Sequence, residues 1–80
     1  MQTPRFTDKQ GQYLAFIYAY SKVNRRPPAE ADLQYFIEVS PPTVHSMVLT
    51  LERLELITRV PGQSRTIRVT VPPADLPVLE

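Results

Sequence analysis

Apolar residues recur along this chain in three helical stripes and then, past residue 56, in a two-residue alternation. Tyr13, Leu14, Ile17 and Tyr20 fall on one helical face, and Thr7-Asp8-Lys9-Gln10 ahead of them is a capping-box pattern. In that pattern a threonine hydroxyl serves one free backbone N–H of the first turn and the glutamine serves another. A helix over residues 8–23 is predicted. Ala29, Leu33, Phe36 and Ile37 form a second, shorter stripe ending near Ile37, with Pro27 and Pro28 in its opening turn, where a missing N–H costs nothing. Glu38-Val39 is the turn that follows. Val44, Met47, Val48, Leu51 and Leu54 line a third helix over 41–55. Ser40 is its N-cap; because Pro42 has no N–H, the Ser40 hydroxyl is expected to cap Thr43.

The alternation comes from Ile67, Val69 and Val71 set against Thr66, Arg68 and Thr70. With the β-branched run over 57–60 and the turn Pro61-Gly62-Gln63-Ser64, it predicts an antiparallel hairpin. Proline pairs punctuate the chain between these pieces. The fold class expected is mainly α with a small antiparallel β-hairpin: a winged helix-turn-helix over residues 4–71, followed by a short C-terminal tail over 72–80.

Composition narrows the possibilities. An apolar share of 42% in 80 residues supports one small core. With no cysteine, disulfides and thiolate metal sites are excluded. The apolar run over 13–20 is too short to span a bilayer, and no small-x-small cleavage site follows it, so a soluble, cytoplasmic protein is expected. Net charge is only +1, yet Arg59, Arg65 and Arg68 occur in a stretch, 58–71, that has no acid, and Arg25-Arg26 form a second basic pair. That segregation suits a basic face on a nearly neutral chain.

Candidate chemistry follows from the faces left over. The third helix turns Pro42, Thr43, His45, Ser46, Leu49 and Thr50 outward, a short-chained surface that fits the major groove, where all four base pairs are distinguishable. Ser40, Arg53, Arg59, Ser64, Arg65, Arg68, Arg25 and Arg26 are the candidate phosphate contacts, which supply salt-dependent affinity. Plainer readings stand beside these: a solvated strand face for the wing arginines, loop residues for Arg25 and Arg26, an idle surface residue for His45. The chain has one histidine, no cysteine, no nucleophile elbow and two glycines, which is too little for a catalytic set; no enzyme activity, metal site or cofactor is expected. On the first helix, Gly11, Ala15 and Ala19 make a small apolar face, either a homodimer surface or merely good helix formers.

The same residues resemble the amino-terminal DNA-binding domain of the LexA repressor family over roughly 7–71. The likeness rests on the Thr7-Asp8-Lys9-Gln10 opening, on Pro27-Pro28 before the second helix, on Ser40-Pro41 opening the third, and above all on the Gly-x-Ser-Arg-x-Ile-Arg wing at 62–68. It implies operator binding by the third helix, with Pro42, Thr43, His45 and Ser46 facing bases and Ser64 and Arg65 on phosphate. There are departures. Glu38 stands where a glycine is usual, the turn before the third helix is one residue shorter, and the family's asparagine and glutamates on the reading face are replaced by Pro42, His45 and Ser46. Neither its operator sequence nor the self-cleavage of its protease domain is carried over. The expected function is a sequence-specific, double-stranded-DNA-binding transcriptional regulator, a LexA-like repressor module. The alternative is a winged helix that binds protein rather than DNA.

Overall fold

Thr7 starts the first helix as the sequence predicts. In the computed structural model, which describes residues 6–80, Gln10 N–H donates to Thr7 Oγ1 (3.1 Å) and Thr7 N–H donates to Gln10 Oε1 (2.9 Å). Helix α1 (Asp8–Asn24) then runs until Arg25 turns into the left-handed region at φ 59°. Its stripe Tyr13, Leu14 and Ile17 is buried, whereas Tyr20 is half-buried with its hydroxyl accepting from the wing.

Helix α2 (Glu30–Ile37) begins later than its prolines suggest. Pro27 and Pro28 precede the helix as buried wall residues, and Ala29 is the N-cap. Alanine has no side-chain acceptor, so half of a capping box does the work: Asp32 Oδ2 accepts from Ala29 N–H at 2.8 Å. The helix ends at Glu38, whose φ of 63° is the left-handed geometry a glycine would adopt without strain.

Helix α3 (Pro41–Arg53) carries both prolines in its first turn, as expected. The expected cap differs. The Ser40 hydroxyl pairs with the Thr43 hydroxyl (2.9 Å) and makes no side-chain bond to the backbone. The two short side chains, three residues apart, satisfy each other instead. At the other end Leu56 N–H donates to Leu51 O (3.0 Å) and Glu55 N–H to Glu52 O (2.9 Å) around a left-handed Glu55. This is a Schellman stop, and the buried Leu56 seals it against the core.

The hairpin is shorter than predicted. Strand β1 (Ile57–Thr58) pairs antiparallel with β2 (Arg68–Val69), Ile57 opposite Val69 and Thr58 opposite Arg68. Beyond the ladder a side chain takes over: Val60 N–H donates to Thr66 Oγ1 (2.9 Å), whose hydroxyl donates to Gln63 O (3.1 Å). Gly62 at φ 80° makes the turn, and a left-handed Arg65 (φ 59°) breaks the extended backbone before β2.

All five elements feed one core of Tyr13, Leu14, Ile17, Leu33, Val44, Val48, Leu51, Leu56, Ile57 and Ile67, with Val69 packed on its edge. Phe36 and Leu54, assigned to core stripes by spacing, lie partly exposed; Phe36 instead stacks on Phe16 at 4.4 Å between ring centroids. The chain after β2 returns along α1. A single 3₁₀ turn (Pro73–Asp75) delivers Leu76 to the core edge, while Gln12 donates to Val78 O and accepts from Glu80 N–H, both at 2.9 Å. This path corrects the expected dimer face. Gly11 and Ala15 are buried within the chain itself, and a Cβ on Gly11 would sit 3.0 Å from Pro77 and 3.1 Å from Phe6. A glycine is there because the returning segment needs the room. No helix among the described residues is long and apolar enough to cross a membrane.

Candidate nucleic-acid interface

Helix α3 buries Val44, Val48 and Leu51 and leaves the opposite face open. Pro42, Thr43, His45, Ser46 and Leu49 are exposed and Thr50 is half-buried, its hydroxyl donating to Ser46 O at 3.0 Å. Arg53 extends the same exposed side at the helix end. A helix is about 10–12 Å across with side chains, and the major groove is about 12 Å wide, so a face of short residues can enter it.

Beside this face lies an open cleft of about 460 Å³, lined by Glu30 of α2, His45 of α3 and the wing residues Arg59, Gln63, Ser64 and Arg65. The exposed helix and the wing therefore flank one groove. Arg59, Arg65 and Arg68 also border a shallow depression on the wing.

The arginines among the described residues divide into two groups. Arg53, Arg68, Arg25 and Arg26 are exposed, and Ser40 and Ser64 are exposed with them. Arg59 is not a free phosphate ligand: its Nε donates to Glu52 Oε1 at 3.0 Å, with the side chain only 15% exposed. Arg65 turns inward, donating from Nη1 to Tyr20 Oη (3.1 Å) and Asp32 Oδ2 (3.2 Å). The Tyr20 hydrogen bond holds its guanidinium pKa above the ordinary value. The left-handed backbone at Arg65 aims the side chain at α1 and α2, which nothing in the local sequence signals. Arg59 and Arg65 thus tie the hairpin to the helices.

His45 also has a partner that spacing did not suggest. Its Nδ1 is 3.2 Å from both carboxylate oxygens of Glu30, fifteen residues earlier. Glu30, Asp32 and Tyr20 lie outside the predicted site because each meets its partner only across the fold, whereas Glu52 meets Arg59 seven residues on, around the stop that ends α3. The one legible clue was Asp32, three residues after the N-cap position of α2. Among the described residues, no group of three or more His, Asp or Glu side chains is arranged to hold a metal ion.

A search of curated proteins finds no match. A protein-family model does match, over residues 5–63, which is most of the chain and spans α1, α2, α3, β1 and the wing turn: iron dependent repressor, N-terminal DNA binding domain. The match supports a winged-helix repressor domain and gives no support to LexA specifically. Its class is one of DNA-binding repressors, not of enzymes. With three helices, a two-stranded wing and an open third helix already in place, the match settles the lineage: this chain belongs to the family of iron dependent repressor N-terminal DNA binding domains, a winged-helix, DNA-binding transcriptional repressor module.

Proposed function

We propose that the chain binds double-stranded DNA sequence-specifically, with Pro42, Thr43, His45, Ser46, Leu49 and Thr50 of α3 against base edges. Arg53, Arg68, Arg25, Arg26, Ser40 and Ser64 contact phosphates. Arg59 and Arg65, engaged with acids of their own chain, hold the wing in position. The observation that carries this reading is the open face of α3 beside a wing, across one cleft. Base-edge contacts give discrimination and phosphate contacts give affinity. A single domain of this size makes few contacts, so repression calls for two copies on a palindromic site. The buried Gly11 and Ala15 are poorly suited to join them.

The family's description names iron, but the described residues of this chain do not fit an iron site. The whole sequence has no cysteine, its one histidine has one acidic neighbour, and no cluster of three ligands occurs among the described residues.

The test is salt dependence. Affinity for duplex DNA should fall linearly with salt on a log–log plot, and Arg53→Ala and Arg68→Ala should each weaken binding to every sequence alike and reduce the slope by about 1. Binding indifferent to salt and to both changes would sink the reading. It would favour a protein partner seated on Leu49 and Leu54, which are 42% and 40% exposed.

A further inference from the structure

Among the polar residues on the open face of α3, His45 is joined by its ring nitrogen to a different helix. The Glu30 carboxylate is 3.2 Å from Nδ1 through either oxygen, and Glu30 is the first residue of α2, where the helix backbone anchors it. An ionised carboxylate only accepts, so the hydrogen of a neutral ring must sit on Nδ1. Nε2 is then left as a bare lone pair. The other charged side chains lining the cleft are Arg59 and Arg65, and each donates to other partners, Glu52 in one case and Asp32 with Tyr20 in the other.

We propose that Glu30 is a positioning residue for base selection: by holding Nδ1–H it presents His45 Nε2 to the major groove as an acceptor, matched to the exocyclic amino group of adenine or cytosine. This rests on the DNA-binding reading above. Two considerations favour orientation over stability as the role of the pair. A half-exposed ion pair adds little to folding, and these side chains are 54% and 31% exposed. A carboxylate beside a DNA-facing helix also repels phosphate, so affinity for DNA gives no reason to place it there. In the major groove adenine N6 and cytosine N4 are the hydrogen-bond donors, whereas guanine and thymine offer acceptors at the corresponding positions. A ring fixed as an acceptor therefore separates the bases into two classes.

The experiment has two arms on the whole chain at pH 8. Long-range proton–nitrogen NMR of the His45 ring reads tautomer and charge without DNA. The expected result is a neutral Nδ1–H ring in the wild type and a shift toward Nε2–H in Glu30→Ala. Selection from a random duplex pool is then compared for wild type, His45→Ala, Glu30→Ala and the double variant. At one base-pair position a preference for adenine or cytosine of about three- to tenfold is expected. It should vanish in each single variant and change no further in the double, while Glu30→Ala binds the pool as a whole more tightly. A wild-type ring that is doubly protonated or carries its hydrogen on Nε2 overturns the proposal. So does a His45-dependent preference that survives Glu30→Ala. If the wild type enriches no sequence, the DNA reading itself fails and takes the proposal with it; the nitrogen spectrum distinguishes that result from a missing Glu30–His45 pair.

Discussion

The outer face of α3 and the wing lie side by side and are built in opposite ways. On α3 the fold is secured from beneath by Val44, Val48 and Leu51, so the polar residues above, Thr43, His45 and Ser46, are not needed for packing. On the wing the ladder is only two residue pairs long, too little to stand alone, and Arg59 and Arg65 reach back to Glu52, Asp32 and Tyr20 to hold it. A positive charge in the sequence is therefore no guide to a free charge on the surface. Beyond Ile57 and Ile67 the wing buries little, and there the arginines become part of the scaffold; on α3 the apolar stripe leaves the opposite face exposed.

That contrast can be broken most sharply at Asp32. Asp32→Ala removes the acceptor of Ala29 N–H and one of the two anchors of Arg65 together. Loss of the cap alone is expected to cost about 1 kcal/mol, or roughly 4–8 °C in melting temperature, by calorimetry. Hydrogen exchange at Thr70, whose N–H reaches Leu56 O, should quicken as the wing loosens. The companion change Ser46→Ala on the exposed face should move stability by less than about 0.5 kcal/mol. Equal losses from the two would erase the distinction.

A smaller effect, of opposite sign, is expected between the two regions. Glu55 stands at φ 63° in the stop that separates α3 from β1, and a glycine adopts that geometry without strain. Glu55→Gly should stabilise the fold by about 0.5–1 kcal/mol in urea titration, with the midpoint rising and the slope unchanged. No gain would mean that the Glu55 side chain contributes more than its strain costs.

The smallest effect is invisible at neutral pH. Burial pushes the Tyr13 phenol above its ordinary value of 10.0. The folded state therefore keeps its proton where the unfolded chain has lost it. Stability from this group is complete below pH 10 and declines as pH climbs from there through the folded-state value. Tyr13→Phe should flatten that alkaline decline and leave the acid side unchanged. An identical decline in the variant would assign it elsewhere.

Much of this architecture is legible in local pattern. The capping box at Thr7, the stripe Val44, Val48 and Leu51, the Pro41-Pro42 entry and the Pro61-Gly62 turn each depend on residues within a few positions of one another, and helix and turn formation is governed over that range. The same locality let the sequence mark the outer face of α3, because a helix with one apolar stripe must turn its other side outward.

What the chain order could not disclose involves partners far apart in sequence. Arg65 meets Asp32 across 33 residues and Tyr20 across 45, His45 meets Glu30 across 15, and Gln12 meets Val78 across 66. No periodicity encodes such pairs. They are decided when the helices pack, by which side chains the shared core leaves within about 3 Å of one another. Sequence alone determined the winged-helix framework and its exposed helix, since backbone capping and apolar spacing act locally. Tertiary structure alone decided which charges stay exposed and which lock the wing, since that depends on distances set by the whole fold.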